Sequence, residues 1–377
     1  MRICIDIRCF SEGRKTGVEE YTRNLLDNLF TIDQKNSYIL FFNSWKESKA
    51  DFSWVEKYPN VSLKKFKFPN KILNSMLWYF NWPKIDKLVG GVDAVFYPNI
   101  IFGNINKKIK SIITIHDLSF VRHKEYFSLK RKWWHIFINP KKICYTAKKI
   151  IAVSHSTKND LENLYKINSE KIIVIQSAVS QNFHIINRND EALIKTKEKF
   201  NLPYRFILFF GTIEPRKNII GVIRAFNLLQ KSGNEYRLII AGEKGWMNKE
   251  IYQEIEESPF KDKIKIINSV PEEDKVYLYN LASIFVYSSF FEGFGFPPLE
   301  AMRCGVPVIV SNNSSLPEIV GDAGILIDPD KPDEIFLAMK EILENPDLKN
   351  NLIKKGLERS KEFDWKKTAQ KTLKAFE

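Results

Sequence analysis

Short apolar runs alternate with amphipathic stretches along the whole chain. In the first half the runs lie at 2–7, 37–43, 93–97, 111–115, 149–153 and 172–175. Runs of this length predict strands buried on both faces. Between them, Val18–Phe30 places Tyr21, Leu25, Leu26 and Leu29 on one face of a predicted helix. The rhythm restarts at Arg205–Gly211 and continues with strands near 236–241, 263–267, 284–287 and 307–310, helices between. Strand–helix alternation predicts a parallel α/β architecture. Between the halves the pattern turns weak and polar, although Glu191–Phe200 reads as a short helix. The expected domains are therefore 1–180 and 204–363, with a linker at 181–203. Doubly wound sheets bind ligands beyond the carboxyl ends of their strands, so the two domains are expected to face each other across a ligand cleft.

Composition narrows the class. A chain of 377 residues exceeds one ordinary core, and 44% hydrophobic content is that of a globular protein. No stretch reaches 18 consecutive apolar residues, and Met1–Ile7 alternates like a first strand rather than a signal peptide. Cys4, Cys9, Cys144 and Cys304 are scattered without metal spacing, which reads as buried free thiols in a reducing compartment. The expected location is the cytoplasm, with the inner face of the membrane as a site of action.

The formal charge of +13 is unevenly spread. Lys64–Lys87 carries six lysines against Asp86, mixed with Phe66, Phe68, Leu77, Trp78, Tyr79, Phe80 and Trp82. Arg122–Lys149 carries nine Lys/Arg against Glu125, among Tyr126, Phe127, Trp133, Trp134 and Phe137. Tryptophans beside lysines suit the headgroup boundary of an anionic membrane. An ordinary basic face with its aromatics turned into the core has the same composition. A nucleic-acid partner would rest on charge alone, because no recognition helix or RNP-type strand is present, and none is expected.

The candidate chemistry sits at strand ends. Glu292 and Glu300 bracket Phe291–Glu300, where glycines beside the first acid and a proline pair before the second suggest a site that grips hydroxyls. On a continuous helix eight residues span about 12 Å, wider than the roughly 5–9.5 Å of hydrolytic carboxylate pairs, so two contacts along one extended ligand fit better than hydrolysis. Upstream, Arg216 and Lys217 precede a helix beginning near Asn218, where cations oppose the helix dipole unless an anion joins them. The alternative is that both side chains swing into solvent. Gly13 and Gly17 follow the first strand in a loop that could approach a phosphate, though a simple turn explains them too. His116–Asp117 ends another strand. Asp328–Pro329–Asp330 matches a DxD metal pattern, but turn and helix-start chemistry explain its acids, and no metal or other cofactor is expected.

Taken together, these motifs resemble the retaining GT-B glycosyltransferases of family 4. The match is densest from Phe206 to Pro329 and most specific from Glu292 through Glu300 to Ile309, with Leu316–Gly324 and Gly211–Asn218 also fitting. The resemblance implies two Rossmann-like domains, a donor site mainly in the second and an acceptor site mainly in the first. It also implies a last helix, 364–377, that crosses back to the first domain. By the family's pattern His116, Arg216, Lys217 and Glu292 form the reacting centre, with Glu292 on the transferred sugar and His116 near its reacting face. Glu300 would bind the ribose, Val270 the base, and Gly17 would lie in the loop under the diphosphate. Gly211 and Thr212 belong to the diphosphate segment, while backbone amides around Gly293, Phe294, Gly295, Phe296 and Leu299 would meet sugar and phosphate. One departure is Thr16 before Gly17, where many members carry two glycines.

His116–Ser128 is similar to a mannosyltransferase-like branch that builds surface polysaccharides. The expectation is transfer of a hexose, mannose from GDP-mannose, to a hydroxyl of a glycan or lipid-linked acceptor with anomeric configuration retained. A UDP-sugar donor is the nearest alternative, and a non-catalytic nucleotide-sugar-binding protein is an alternative of a different class.

Overall fold

The computed structural model describes residues 1–12, 17–45 and 50–377. The chain divides into two compact units, one of Met1–Arg122, Leu129–Ser177 and Asp364–Glu377, the other of His123–Ser128 and Ala178–Phe363.

The first unit is built on β1 (Arg2–Asp6), β2 (Ser37–Asn43), β3 (Val61–Phe66), β4 (Ala94–Tyr97), β5 (Lys110–Ile115), β6 (Lys149–Ala152) and β7 (Ile172–Val174). Its seven-stranded sheet runs β3-β2-β1-β4-β5-β6-β7 with every pairing parallel. The central strands are buried along nearly their whole length, as helices on both faces require. β3 does not stand out in the sequence. It is an edge strand, Val-Ser-Leu-Lys-Lys-Phe, with no fully buried residue, so its hydrophobic pattern is weak. The helix Gly17–Ile32 buries Tyr21, Leu25, Leu26 and Leu29. The terminal helix Trp365–Phe376 packs beside it: Trp365 lies 5.8 Å from Tyr21, Phe376 lies 5.7 Å from Phe96, and Thr368 Oγ1 donates to the Gln176 carbonyl.

The second unit carries β8 (Phe206–Phe210), β9 (Arg237–Ala241), β10 (Ile264–Ile267), β11 (Ile284–Tyr287), β12 (Val308–Ser311) and β13 (Gly324–Ile327). They form a six-stranded parallel sheet ordered β10-β9-β8-β11-β12-β13. In both sheets the winding reverses beside the first strand, between β1 and β4 and between β8 and β11. Those reversals open a crevice at the carboxyl ends of the strands.

The polar stretch placed between the domains is not a free connector. Residues 178–203 belong to the second unit, where Phe183, Ile186 and Leu193 are buried. Asp190 caps the helix Glu191–Lys199, Asn280 Oδ1 accepts from the Ile186 N–H, and Lys199 meets Asp274 at 2.5 Å. A few apolar anchors in a polar sequence suffice to dock it. His123–Ser128, read in sequence as part of the first domain, also belongs to the second unit.

Candidate active site

In the second unit the loops after β8 and β11 meet at the winding reversal. Close approach of backbone makes the first loop possible. Gly211 and Gly242 both have positive φ (157° and 144°), and a Cβ on Gly242 would come within 2.0 Å of the Gly211 carbonyl. The loop turns through a short 3-10 segment, Pro215–Lys217, and Asn218 caps the helix Ile219–Lys231 by accepting from the Gly221 N–H. Asn218 also donates to the Pro329 carbonyl at 2.6 Å, tying this helix start to the turn after β13. The β11 loop is laced to the same segment, since the Phe290 N–H and Ser289 Oγ both reach the Arg216 carbonyl.

This lacing brings Arg216, Lys217 and Glu292 into one cluster. Neither cation swings into solvent, nor does either wait unpaired for an anion. Lys217 Nζ lies 2.5 Å from Glu292 Oε1 and donates to the Tyr287 hydroxyl at 2.6 Å. Tyr287 and Ser289 hydroxyls also donate to Glu292 Oε1, at 3.0 and 2.6 Å. Arg216 donates to Glu214 through Nε and Nη2, and to the Phe291 carbonyl and Glu292 Oε2 through Nη1. Ser314 Oγ receives the Glu292 N–H, which fixes the loop from behind. Burial would raise the Glu292 pKa, but Lys217 and Arg216 outweigh it and hold the carboxyl at about 2. Burial and Arg216 lower the Lys217 pKa while Glu292 pulls it back. The cluster is an ionised carboxylate facing two cations.

Glu300 occupies a separate neighbourhood in the helix Phe296–Arg303. It is buried, its Oε2 accepts from the Tyr279 hydroxyl at 2.8 Å, and burial raises its pKa against the pull of Lys275. Among the described residues the two acids thus share no hydrogen-bond partner, and the intervening chain is loop before it is helix. Gly295 has φ 117°, and a Cβ there would press on Leu316. Phe294 and Leu299 turn their side chains into the core, and the Phe294 carbonyl accepts from Ser315 Oγ. Pro297 and Pro298 occupy the start of the helix and carry no N–H, so amide donors in this stretch are confined to the remaining positions. Gly293 and Phe296 lie in the same loop and helix start, Thr212 in the β8 loop, and Val270, half-buried, in the loop after β10. All the candidate positions of this unit therefore lie beyond the carboxyl ends of its strands or on the helix that follows.

The segment His123–Ser128 braces the Glu292 loop. Tyr126 stacks on Phe290 at 5.6 Å, His123 lies 5.5 Å from Phe291, and the Tyr126 carbonyl accepts from Trp246 Nε1.

In the first unit His116 follows β5 and Gly17 begins the helix after β1. Tyr21, one turn into that helix, meets the His116 ring edge-on at 4.8 Å. The Pro98 carbonyl 2.9 Å from His116 Nε2 can only accept, so Nε2 carries the proton and Nδ1 the lone pair. Burial lowers the His116 pKa, which favours the neutral ring. Gly13 and the rest of the loop before Gly17 lie outside the described residues.

Asp328–Pro329–Asp330 forms a turn in which Asp328 Oδ1 accepts the Asp330 N–H, and Lys331 faces Asp328 at 3.4 Å. The helix beyond begins at Pro332 without a side-chain cap, so only the turn half of the sequence reading describes these acids. Glu214, Tyr287, Ser289 and Tyr279 were not singled out from sequence. Tyr287 could have been, as the last residue of a strand beside the reversal, whereas Tyr279 on the helix Glu272–Leu281 carries no local signal.

Comparison with known proteins agrees with this architecture. The chain is 34% identical over 274 residues to O-antigen chain mannosyltransferase B of Escherichia coli, covering 71% of this chain and 70% of that protein. It is 32% identical over 270 residues to the serotype-specific mannosyltransferase WbdA of the same organism, covering 71% of this chain but only 33% of WbdA. Sucrose-phosphate synthase from Thermosynechococcus elongatus matches with a TM-score of 0.77 at 19% identity, over 100% of this chain and 98% of that one, which gives the GT-B fold. The family model for Glycosyltransferase Family 4 matches residues 15–183 and that for Glycosyl transferases group 1 matches residues 190–359. Two Rossmann-like sheets, an acid caged by two cations at the second reversal, and these relatives lead to one conclusion: the chain belongs to glycosyltransferase family 4, the glycosyl transferases of group 1.

Proposed function

We propose that this glycosyltransferase moves mannose from GDP-mannose to a hydroxyl of a glycan or lipid-linked acceptor in surface polysaccharide synthesis, with retention and without a metal. It acts in the cytoplasm at the inner face of the membrane. The observation that carries the reading is the cage around Glu292. Its Oε1 is filled by Lys217, Tyr287 and Ser289, while Oε2 holds one longer contact, 3.2 Å, from Arg216. Oε2 thus has capacity for a donor-sugar hydroxyl. Lys217 uses two of its three ammonium hydrogens on Tyr287 and Glu292, and the third is the donor for a diphosphate oxygen. As the glycosidic C–O bond breaks, charge grows on the departing phosphate and Lys217 and Arg216 stabilise it, in a site whose dipoles are already oriented. The same phosphate oxygen takes the proton of the attacking acceptor hydroxyl. Glu300 contributes its second oxygen to the ribose hydroxyls. Mannose is supported by the relatives named as mannosyltransferases and by the His116–Ser128 stretch.

A thermal-shift panel of GDP, UDP, ADP and their sugars tests the donor. At 100 times Kd the bound nucleotide should stabilise the fold by about 2.7 kcal/mol. GDP and GDP-mannose are expected to shift the protein most. Stabilisation by UDP-sugars alone would replace the donor, and no shift with any nucleotide would overturn the reading.

A further inference from the structure

Phe127 and Leu77 are buried and Phe66 packs on the core, but most rings of the two basic, aromatic segments face outward. The helix Leu129–Ile138 buries only Ile138, and Leu129, Trp133, Ile136 and Phe137 form an exposed stripe at helical spacing. The segment after β3 contributes a second set, with Ile72, Tyr79, Phe80 and Trp82 all more than half exposed. The two sets are joined, since Lys142 Nζ sits 5.8 Å over the Trp78 ring, and Trp78 packs edge-on against Phe102 at 5.8 Å. Neither Leu129–Lys149 nor Lys64–Lys84 contains a carboxylate.

Both sets are anchored at the carboxyl edge of the first sheet. Asn43, at the end of β2, holds the Phe68 carbonyl and Asn70, and Asn104 in the loop after β4 donates to the Asn81 carbonyl. On the other side Phe120, just past β5, stacks flat on His135 at 3.9 Å. This is the edge on which His116 and Gly17 lie.

We propose that this edge of the first unit docks on an anionic phospholipid bilayer, seating Trp133, Phe137, Phe80 and Trp82 at the headgroup boundary with the surrounding lysines on the phosphates. The inference deepens the proposed transfer to a lipid-linked acceptor and rests on it for its purpose: such an acceptor would reach the carboxyl edge without leaving the membrane. Amphipathic rings beside cations match that boundary. A second copy does not match, because a two-fold contact would set one carboxylate-free basic patch against another. No described helix is long and apolar enough to cross a membrane, so the contact is a surface one.

The test is sedimentation of the full chain with phosphatidylglycerol-containing vesicles against pure phosphatidylcholine. Binding to the anionic vesicles, reduced by salt, is expected. Each cation near an anionic surface is worth about fivefold in partition, so Lys130→Ala/Arg131→Ala/Lys132→Ala should weaken binding about 100-fold. Trp133→Ala/Phe137→Ala should weaken it even at low salt. The nucleotide thermal shift should be unchanged in both variants, which separates failure of docking from failure of the proposed chemistry. Absence of vesicle binding at low salt, binding unaffected by both variants, lipid-free dimers that Trp133→Ala/Phe137→Ala dissolves, or equal retention on random DNA would each overturn the proposal.

Discussion

Lys217 and Glu292 illustrate how a residue's role is set by what faces it. From sequence, a cation at a helix start calls for an anion. Here the protein supplies one itself, at 2.5 Å and almost without solvent. Removing one partner of a buried pair leaves the other uncompensated, at a cost of about 3–5 kcal/mol. Lys217→Ala should therefore lower the melting temperature as well as kcat, the latter by about 100- to 1000-fold if it stabilises the departing diphosphate. The double variant Lys217→Met/Glu292→Gln should recover most of the stability and none of the activity. Wild-type turnover in folded Lys217→Ala would remove the lysine from the chemistry. The pH dependence has a definite sign. Glu292, held at about 2 against an ordinary 4.5, contributes stability that is present above the ordinary value and lost as pH falls toward the lower one. Acid-unfolding curves of the double variant should lack that component.

Among elements, the loops at the second reversal depend on glycines as well as on polar contacts. Gly242 and Gly211 bring the ends of β8 and β9 together where a side chain on Gly242 would meet the Gly211 carbonyl, and Gly242 also holds a positive φ. Gly242→Ala must displace the β8 loop that carries Arg216 and Lys217. Overpacking of this kind costs about 1–3 kcal/mol, so thermal unfolding should shift down and affinity for nucleotide should fall with it. An alanine variant with unaltered melting and binding would show that the loop is not held there. Strands of continuous apolar residues were legible because burial on both faces leaves an unbroken hydrophobic signal. β3 was not, because an edge strand carrying Lys64 and Lys65 has little to bury.

At the scale of the whole molecule, chain order and spatial order part company. The last helix joins the unit that contains the first strand, and His123–Ser128 joins the other. Trp365 is 5% exposed and packs on Tyr21, whose ring in turn meets His116. Trp365→Ala should cost about 3–5 kcal/mol, read as a lower denaturation midpoint, while a change under about 1 kcal/mol would show that the terminal helix adds little to the first unit. The resemblance implied a returning helix, but no local signal in 364–377 names its partner. Two parallel sheets, the approximate limits of their strands apart from β3, and the identity of the main candidate residues were set by the sequence alone, because period and strand-end chemistry are local properties. Only the tertiary structure decided that Glu292 neutralises Arg216 and Lys217, that Glu300 belongs to a different network, and that the tryptophans after Leu129 face outward. Those outcomes depend on which loops and helices meet across long sequence separations, and a local pattern carries no information about distance.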